Sequence, residues 1–498
     1  MTAVATGAPP CTAPLRAKIL PVKPRYLLVF VLLVVGLAVP ALARRKPTAA
    51  KSPRPVPAPS AHKDPPPPAV QVPGTGPAGN PPVDPETLVA MADDITRQVV
   101  ALRGLELKRP FSKGVLDREG ISTRLRERLA KEYNPDEIQI ESRMLKRLGL
   151  LPADADYLKL LDDLLMEQVA GFYDPYSTQL YVADWLDGNL QQPAMAHEIE
   201  HALQDQHFNL KSFAMPLKED GDRQLAHSAL VEGDGTAVML EFVARTLNID
   251  VARLPDAIEA IAAQLTSNQM QAHPGPGNDR LTQAPRFLRE TLTFPYFSGM
   301  KFVLATRKGH PWSRINEVFR DPPESTEQIL HPEKYQTHEH PMTVASTALH
   351  SLGTAKELRR DVLGEFGWSL LLFVHLDDAL AQRAAAGWGG DRVVAYGGPE
   401  GPVAVATLST WDTEQDALEM ESALRRWLAK HLGQPEPAAD QPAVLTKDGE
   451  SWSVERHGRE ILALFGVAEE SRGAMVEEIW KGWKVGAPPA KKTPAPTK

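Results

Sequence analysis

The hydrophobic residues of the chain follow a helical period in two stretches before residue 170. From Pro85 onward they recur every three or four positions, at Leu88, Met91, Ile95 and Val99. The same spacing returns between residues 158 and 169, at Leu158, Leu160, Leu161, Leu164, Leu165 and Val169. Such positions share one face of an α-helix, so each stretch is predicted to be an amphipathic helix that packs this face in a core.

The period changes between residues 169 and 184. The segment GFYDPYSTQLYVAD has two short runs of aromatic and β-branched residues on either side of Asp174-Pro175. This pattern predicts a β-hairpin. A helix is predicted to begin soon afterwards, near Gln192.

Short strands alternate with helices after residue 335. The predicted strands are Arg392–Tyr396, Val403–Leu408, Ser453–Arg456 and Ile461–Phe465. Helices are predicted over 365–386 and 414–431. We therefore expect an α+β fold, with a mostly helical domain and a small β-hairpin at 86–335, followed by a smaller α+β domain at 336–483. The pattern does not distinguish a prodomain from an N-terminal helical layer at 86–155.

The N-terminus, residues 1–43, is predicted to be a secretory signal peptide or a membrane anchor. Four basic residues precede the apolar run Tyr26–Val39, and the small residues Ala41 and Ala43 follow it at the positions that signal peptidase reads. The run from Tyr26 to Ala43 is 18 residues long, which is borderline for a tilted membrane span. Cleavage and retention thus both remain open. Either outcome predicts a secreted, periplasmic or cell-envelope protein.

Two segments have the composition of disordered chain. Residues 44–85 hold 14 of the 45 prolines and almost no aliphatic side chains. This range is predicted to be an extended, disordered linker. The last residues, 484–498, are similar and are predicted to be a disordered tail.

Charge and cysteine content exclude several classes of function. The only cysteine of the 498 residues is Cys11, so disulfides, thiolate metal ligands and a cysteine nucleophile are excluded from the body of the chain. The net charge is −8, but residues 1–85 and 484–498 together carry +12, which leaves −20 on residues 86–483. Because phosphate binding requires clustered Lys and Arg, we expect no nucleic-acid partner.

The segment AMAHEIEHALQDQHF contains the motif H-E-x-x-H. His197 and His201 are four residues apart, so on a helix both imidazoles lie on one face, as a divalent metal requires. Glu198 lies beside them, within reach of a metal-bound water. An apolar face is available on this helix at Met195, Ile199, Ala202 and Leu203. The motif predicts a zinc site with Glu198 as general base; the alternative is a surface helix with unrelated charges.

Two residues compete for the place of third ligand. Glu232 follows His201 by 31 residues, within the apolar segment HSALVEGDGTAVMLEFVART. A buried carboxylate needs a partner, and zinc would be one. The alternative is His207, which has the spacing H-E-x-x-H-x-x-G-x-x-H, but Gln204 replaces the glycine that permits the necessary turn. Glu232 is therefore the predicted ligand and His207 the alternative.

Three acidic residues near the motif receive predictions of their own. Glu200 stands where zinc-peptidase helices usually have an uncharged residue, so we expect it to face solvent or to bind a Lys or Arg. Asp205 and Asp234 are predicted to accept a proton from a ligand imidazole or to orient the ligand carboxylate.

The segment STEQILHPEKYQTHEH supplies candidate donors for an oxyanion: His331, Tyr335 and His340. Solvated loop residues are the alternative for all three. Its first residues also fit a capping box, with Ser325 as N-cap and Gln328 three positions later.

The segment GWGGDR, residues 387–392, is glycine-rich but has no strand before it and no helix after it. It is therefore predicted to be a structural turn that leads into a strand, and not a phosphate loop. Within this segment, Trp388 and Asp391 are the candidates for a substrate rim.

Several segments in this order resemble a bacterial family of largely uncharacterised, gluzincin-like zinc metallopeptidases: GFYDPYSTQLYV, AHEIEHALQDQHF, ALVEGDG, STEQILHPEKY and AGWGGDR. The likeness spans residues 160–415. It implies a zincin-like hydrolase fold with His197, His201 and Glu232 as zinc ligands and Glu198 as base, but it implies no substrate.

The predicted function is that of an exported zinc metallopeptidase with a peptide or protein substrate. Three protein ligands leave a fourth position for water, whose pKa zinc lowers towards about 7. Glu198 would take a proton from this water and return it to the leaving amine. The alternatives are a zinc amide hydrolase of cell-wall peptide, a non-catalytic binding protein on a peptidase-like scaffold, and a structural zinc site with four ligands.

Overall fold

The computed structural model describes residues 84–132, 135–168, 171–185, 188–214, 217, 219–246, 279–438 and 441–488. The predicted signal peptide or anchor at 1–43 and nearly all of the linker at 44–85 lie outside these residues. No helix in the described ranges is both long enough and apolar enough to cross a bilayer.

The described chain is an α+β fold. Its helices are α1 Pro85–Arg103, α2 Arg118–Glu132, α3 Pro135–Arg147, α4 Tyr157–Gln168, α5 Gly188–Phe208, α6 Leu210–Ala214, α7 Gly221–Thr246, α8 Asp279–Gln283, α9 Arg286–Arg307, α10 Ser313–Arg320, α11 Thr326–Leu330, α12 Pro332–Gln336, α13 Gly364–Phe373, α14 Asp378–Ala385, α15 Glu414–Leu432 and α16 Glu469–Gly482. Its strands are β1 Ser112–Leu116, β2 Gly171–Asp174, β3 Gln179–Ala183, β4 Thr343–Ala345, β5 Lys356–Asp361, β6 Trp388–Gly397, β7 Ala404–Trp411, β8 Ala443–Lys447, β9 Glu450–His457, β10 Glu460–Ala468 and β11 Lys484–Gly486.

Helix α1 begins and ends where its sequence dictates. The Asp84 carboxylate accepts a hydrogen bond from the Thr87 amide at 2.9 Å, and Pro85 occupies the first turn. Gly104 ends the helix in a left-handed conformation, with φ of 74°. The predicted apolar face is confirmed, since Leu88, Ile95 and Val99 are buried.

The predicted hairpin is confirmed as β2 and β3, which pair antiparallel. The Asp174 carboxylate accepts hydrogen bonds from the amides of Tyr176 and Ser177 at 3.0 and 3.2 Å, which stabilises the turn. The other side of β3 pairs in parallel with β1, so the sheet has the order β1-β3-β2. The strand β1 was not predicted.

Helices α1, α5, α7 and α9 form one packed group. Helix α7 contacts α9, α5 and α1, and α5 also contacts β2 and β3. One hydrophobic cluster fills the space between α1, α5, α7 and the three-stranded sheet; it includes Leu88, Val99, Tyr173, Leu180, Ile199, Leu203, Val238 and Phe242. In α4, by contrast, Leu158 is 55% exposed, so its predicted core position is wrong, and Tyr157 is buried in its place.

The C-terminal part contains a six-stranded sheet of order β5-β6-β7-β10-β9-β8, whose neighbours all pair antiparallel. The four strands predicted here are confirmed. The helix predicted over 365–386 is instead two helices, because Asp377 caps a new helix by accepting the Leu380 amide at 3.0 Å. The predicted tail is also partly ordered, since Lys484–Gly486 forms β11 and pairs with β4.

A second hydrophobic cluster crosses the boundary predicted at 335/336. It contains Leu230 and Phe302 from the helical part together with Trp368 and Phe465 from the C-terminal part. The Arg147 guanidinium of α3 also donates to the Glu450 carboxylate of β9 at 2.8 Å. The two predicted domains therefore share a core.

A cluster of three carboxylates, of which only that of Glu327 is buried, lies at this junction. Glu327, Glu339 and Asp412 surround the Lys334 ammonium, whose Nζ lies 2.7, 2.7 and 2.6 Å from their oxygens. The lysine therefore occupies the position that a cation would take among these three acids. Burial raises the pKa of Glu327 to about 8, and the nearby carboxylates of Glu365 and Asp412 act in the same direction, against Lys334.

This raised pKa predicts a pH dependence of stability. The folded chain retains the Glu327 proton above the ordinary pKa of 4.5, whereas the unfolded chain releases it. The contribution of this group therefore favours folding below about pH 4.5 and is lost as the pH rises towards 8. Glu327→Gln, which mimics the protonated acid, is expected to gain stability relative to the unsubstituted chain between pH 5 and 8. Urea unfolding at pH 5 and at pH 8 measures the free energy of unfolding of the unsubstituted chain, of Glu327→Gln and of the control Glu333→Gln, which replaces an exposed acid. If this free energy changed equally between the two pH values in all three proteins, the prediction would be contradicted.

Candidate metal centre

Helices α5 and α7 bring three of the predicted site residues together. The Nε2 atoms of His197 and His201 lie 2.9 Å apart. The Oε2 atom of Glu232 is 3.1 Å from the first and 3.4 Å from the second. All three side chains are buried. The i, i+4 spacing on α5 and the position of Glu232 on the facing helix thus produce one compact cluster.

The donor set and its spacing fit a divalent cation. Zinc bonds of about 2.0–2.2 Å in a tetrahedron separate neighbouring ligand atoms by about 3.3–3.6 Å. Of the three observed separations, 3.4 Å lies in this range, and 2.9 and 3.1 Å lie somewhat below it. Two imidazole nitrogens and one carboxylate oxygen are also ligands that zinc prefers. Metal binding itself stays a prediction.

Glycines allow α7 to approach the two histidines and α9. A Cβ atom on Gly235 would lie 2.9 Å from His197 Cε1 and 3.2 Å from His201 Cε1. A Cβ on Gly233 would lie 2.1 Å from the carbonyl carbon of Gly299 in α9. Each glycine in a helix interior costs about 0.5–1 kcal/mol relative to alanine. The E-G-D-G segment is therefore explained by the close packing of α7 on both sides.

The cluster perturbs the protonation of its members. Burial lowers the pKa of His197, and the neighbouring His201 adds to this effect. Burial also opposes protonation of His201, but the Glu232 carboxylate outweighs it and raises the pKa of His201 to about 9. For Glu232, burial alone would raise the pKa, but the two histidines lower it below its ordinary value. The carboxylate is thus held in the anionic form that a metal ligand requires.

Glu198 is held against the three-stranded sheet. Its Oε2 accepts a hydrogen bond from the Tyr173 backbone amide of β2 at 2.7 Å, and its side chain is buried. Because β2 pairs with β3 on its other side, this amide belongs to the outer edge of the sheet. The outer edge of β2 therefore faces the helix that carries the histidines.

Asp205 does not have the role predicted for it. It accepts the Tyr173 hydroxyl at 2.9 Å and the Leu210 amide at 3.1 Å, and so connects α5 to β2 and to the start of α6. Asp234 is linked to the predicted ligand His201 through Gln204. The Gln204 amide nitrogen donates to Asp234 Oδ2 at 2.9 Å, and its oxygen lies 2.9 Å from His201 Nδ1.

Glu200 is fully buried and does not face solvent. Of its two predicted environments, contact with a basic residue is confirmed, because its carboxylate lies 3.3 Å from the Arg103 guanidinium. Arg103 also binds Asp234 at 3.1 Å. Burial and the Asp234 carboxylate raise the pKa of Glu200 well above its ordinary value, against the effect of Arg103. The Arg103 guanidinium of α1 therefore contacts two buried acids, one on α5 and one on α7.

His207 lies away from the cluster. Helix α5 continues through Gln204 to Phe208, as expected for a sequence without the turn glycine. The His207 Nε2 atom binds the Glu106 carbonyl oxygen at 2.7 Å. Among the residues that the structure describes, the cluster around His201 contains Glu232 and not His207.

The three predicted oxyanion donors are engaged elsewhere. The Tyr335 hydroxyl donates to the Asp321 carbonyl at 2.8 Å. His331 binds the Glu365 carboxylate at 2.9 Å, and His340 binds Glu324 at 2.7 Å. In the described part of the chain, no hydrogen bond, ion pair or ring contact joins these residues to His197, His201 or Glu232. An aromatic residue that was not predicted, Tyr296 of α9, stacks on His197 with 6.1 Å between ring centroids.

The capping box predicted at Ser325 and Gln328 is only half formed. Ser325 caps α11, since its hydroxyl accepts the Gln328 amide at 3.2 Å. The box is not reciprocal, because the Gln328 side chain accepts the Glu324 amide instead.

The glycine-rich segment has a turn at Gly387, with φ of 77°, but its strand begins at Trp388, four residues earlier than predicted. Asp391 accepts the Trp388 indole and two backbone amides and is buried, so neither side chain forms a substrate rim.

Sequence reasoning missed Arg103, Gln204 and Tyr296. A signal existed for Arg103, which continues the buried face of α1 after Ile95 and Val99. In the sequence, Gln204 stands out only because it replaces the glycine of the alternative spacing. No local pattern pointed to Tyr296.

Comparison with known proteins adds one finding. A family described as a domain of unknown function (DUF8575) matches residues 351–476. This range contains all six strands of the larger sheet and excludes the candidate metal ligands. No curated protein and no solved structure matches the chain.

Proposed function

We propose that the chain is an exported zinc-dependent peptidase. The observation that carries this proposal is the convergence of His197 and His201 from α5 with Glu232 from α7. The sequence resemblance to gluzincin-like metallopeptidases supports it, because that family's ligand set corresponds to these three residues. Zinc would be held by their two Nε2 atoms and one carboxylate.

The chain's own residues supply the remaining chemistry. When bound, zinc would lower the pKa of a water molecule and polarise the substrate carbonyl. Glu198, next to His197 on the same helix, would accept a proton from the attacking water and pass it to the leaving amine. Its hydrogen bond from the Tyr173 amide holds the carboxylate in place for both transfers.

The position of β2 suggests how a substrate would bind. An extended peptide can add to the free edge of a sheet through main-chain hydrogen bonds. The outer edge of β2 faces Glu198, which already accepts the Tyr173 amide, so a peptide that pairs with the remaining backbone groups of this edge would pass close to the candidate metal ligands. A peptide or protein is therefore the proposed substrate class.

Digestion of a peptide library by the full-length, zinc-loaded chain tests the proposal. We expect mass spectrometry to show cleaved peptides, with cleavage lost after chelation and absent in His197→Ala. Cleavage restricted to cell-wall stem peptides would favour the amide hydrolase instead. A zinc-loaded chain that binds peptides without cleaving them would indicate a binding protein.

A further inference from the structure

The Gln204 side chain connects a candidate metal ligand to a buried ion pair. We propose that Gln204, held by Asp234 and Arg103, is a positioning residue that keeps His201 in the tautomer able to bind metal. This inference rests on the proposed metal centre. It concerns the residue at which the alternative spacing with His207 fails, since a glycine would be needed there.

The orientation of the Gln204 amide follows from its neighbours. One end lies 3.1 Å from the Val231 carbonyl oxygen and 2.9 Å from Asp234 Oδ2. Both neighbours are hydrogen-bond acceptors, so this end must be the NH₂ group. The opposite end, which lies 2.9 Å from His201 Nδ1, must be the carbonyl oxygen.

The tautomer of His201 follows in turn. A carbonyl oxygen only accepts hydrogen bonds, so Nδ1 of His201 must carry a proton and donate it to Gln204. Once the ring loses its second proton, as a metal ligand must, the lone pair is then on Nε2. This is the atom that faces His197 Nε2 and Glu232 Oε2. Gln204 thus selects the ring form in which the metal-facing nitrogen can coordinate.

The far end of the network keeps Gln204 in place. Arg103 binds Asp234 through Nε and Nη2, at 3.1 and 3.2 Å, and also donates to Asn316 at 2.8 Å. Gln204, Asp234 and Arg103 are all buried. Water therefore does not compete for these bonds, and the amide has one favourable orientation. Through Arg103, helix α1 therefore helps to hold the proposed metal ligand His201 in position.

The direct test compares zinc affinities of full-length proteins by chelator competition. Gln204→Met keeps the length of the side chain and leaves every charge in place. Loss of a hydrogen-bond partner of a ligand histidine typically weakens metal binding by about 10–100-fold, and we expect a loss in this range. The visible spectrum of the cobalt-substituted protein should change as well, because the His201 ring is no longer fixed.

A matched control lies on the same helix. Gln206 is also buried, and its amide binds the backbone of Lys108 and Arg109 without touching the cluster. Gln206→Met is expected to lose a similar number of hydrogen bonds with no change in zinc affinity or cobalt spectrum. This comparison separates positioning of His201 from a general loss of stability.

A shorter amide provides a second test in case Gln204→Met does not fold. Gln204→Asn keeps both polar ends of the amide but lacks one methylene group, so its oxygen cannot reach His201 Nδ1 while its amine stays next to Asp234. We expect this variant to bind zinc more weakly than the unsubstituted chain. Unchanged affinity in a folded Gln204→Met or Gln204→Asn overturns the inference. Absence of zinc binding in the unsubstituted chain would instead refute the proposed metal centre.

Discussion

Glu198→Gln is expected to lower the rate of peptide hydrolysis by about 10²–10⁴-fold, because the amide can no longer accept the proton of the attacking water. Zinc binding should remain, since Glu198 is not one of the three clustered ligands. The fold should remain as well, because the glutamine oxygen can still accept the Tyr173 amide that Glu198 binds at 2.7 Å. Measurement of kcat/KM on a cleaved library peptide, together with zinc content, checks both parts.

A glutamate outside the site serves as control for this variant. Glu241 is also buried and lies on α7, where it pairs with Arg245 and Arg307. Glu241→Gln should retain the hydrolysis rate. If Glu198→Gln hydrolysed peptide at a rate similar to this control, Glu198 would not be the general base.

Arg103→Met is expected to lower the free energy of unfolding by about 3–5 kcal/mol, because it leaves buried acids without their counter-charge. Asp234 and Glu200 both contact this guanidinium, at 3.1 and 3.3 Å, and none of the three is exposed. Urea unfolding of the full-length chain measures the effect.

The same helix carries a matched control. Arg97 forms an exposed pair with Asp94 at 2.8 Å. Surface pairs of this kind contribute about 0–1 kcal/mol, so Arg97→Met should change the stability little. A loss for Arg103→Met as small as that for Arg97→Met would show that the buried network contributes nothing to the fold.

The Arg103 contacts also bear on residues 86–155, for which the sequence allowed a prodomain. Helix α1 fills part of the cluster between α5 and α7, and β1 pairs with β3 in the sheet beside Glu198. The start of this range is thus built into the structure around the candidate metal centre.

Local patterns were sufficient to predict the two histidines and the hairpin. On a helix, the spacing of four residues places His197 and His201 on the same face, whatever surrounds them. Glu232 was predicted because an isolated carboxylate in an apolar helix requires a partner. The distinction from His207 depended on Gln204, which does not end the helix.

Features that depend on distant segments were not predictable in this way. Strand β1, with sequence SKGVL, pairs with a strand far along the chain and has no alternating pattern of its own. The position of Asp205 next to Tyr173, and the engagement of Tyr335 by Asp321, also depend on tertiary packing. Helix period alone could not show that Leu158 faces solvent while Tyr157 is buried.

The most direct test of the central claim is the zinc content of the purified full-length chain after chelation and resupply. The proposed centre predicts about one zinc ion per chain, lost in Glu232→Ala and retained in His207→Ala. Zinc retained in Glu232→Ala, zinc lost only in His207→Ala, or no zinc bound by the unsubstituted chain would contradict the centre formed by His197, His201 and Glu232.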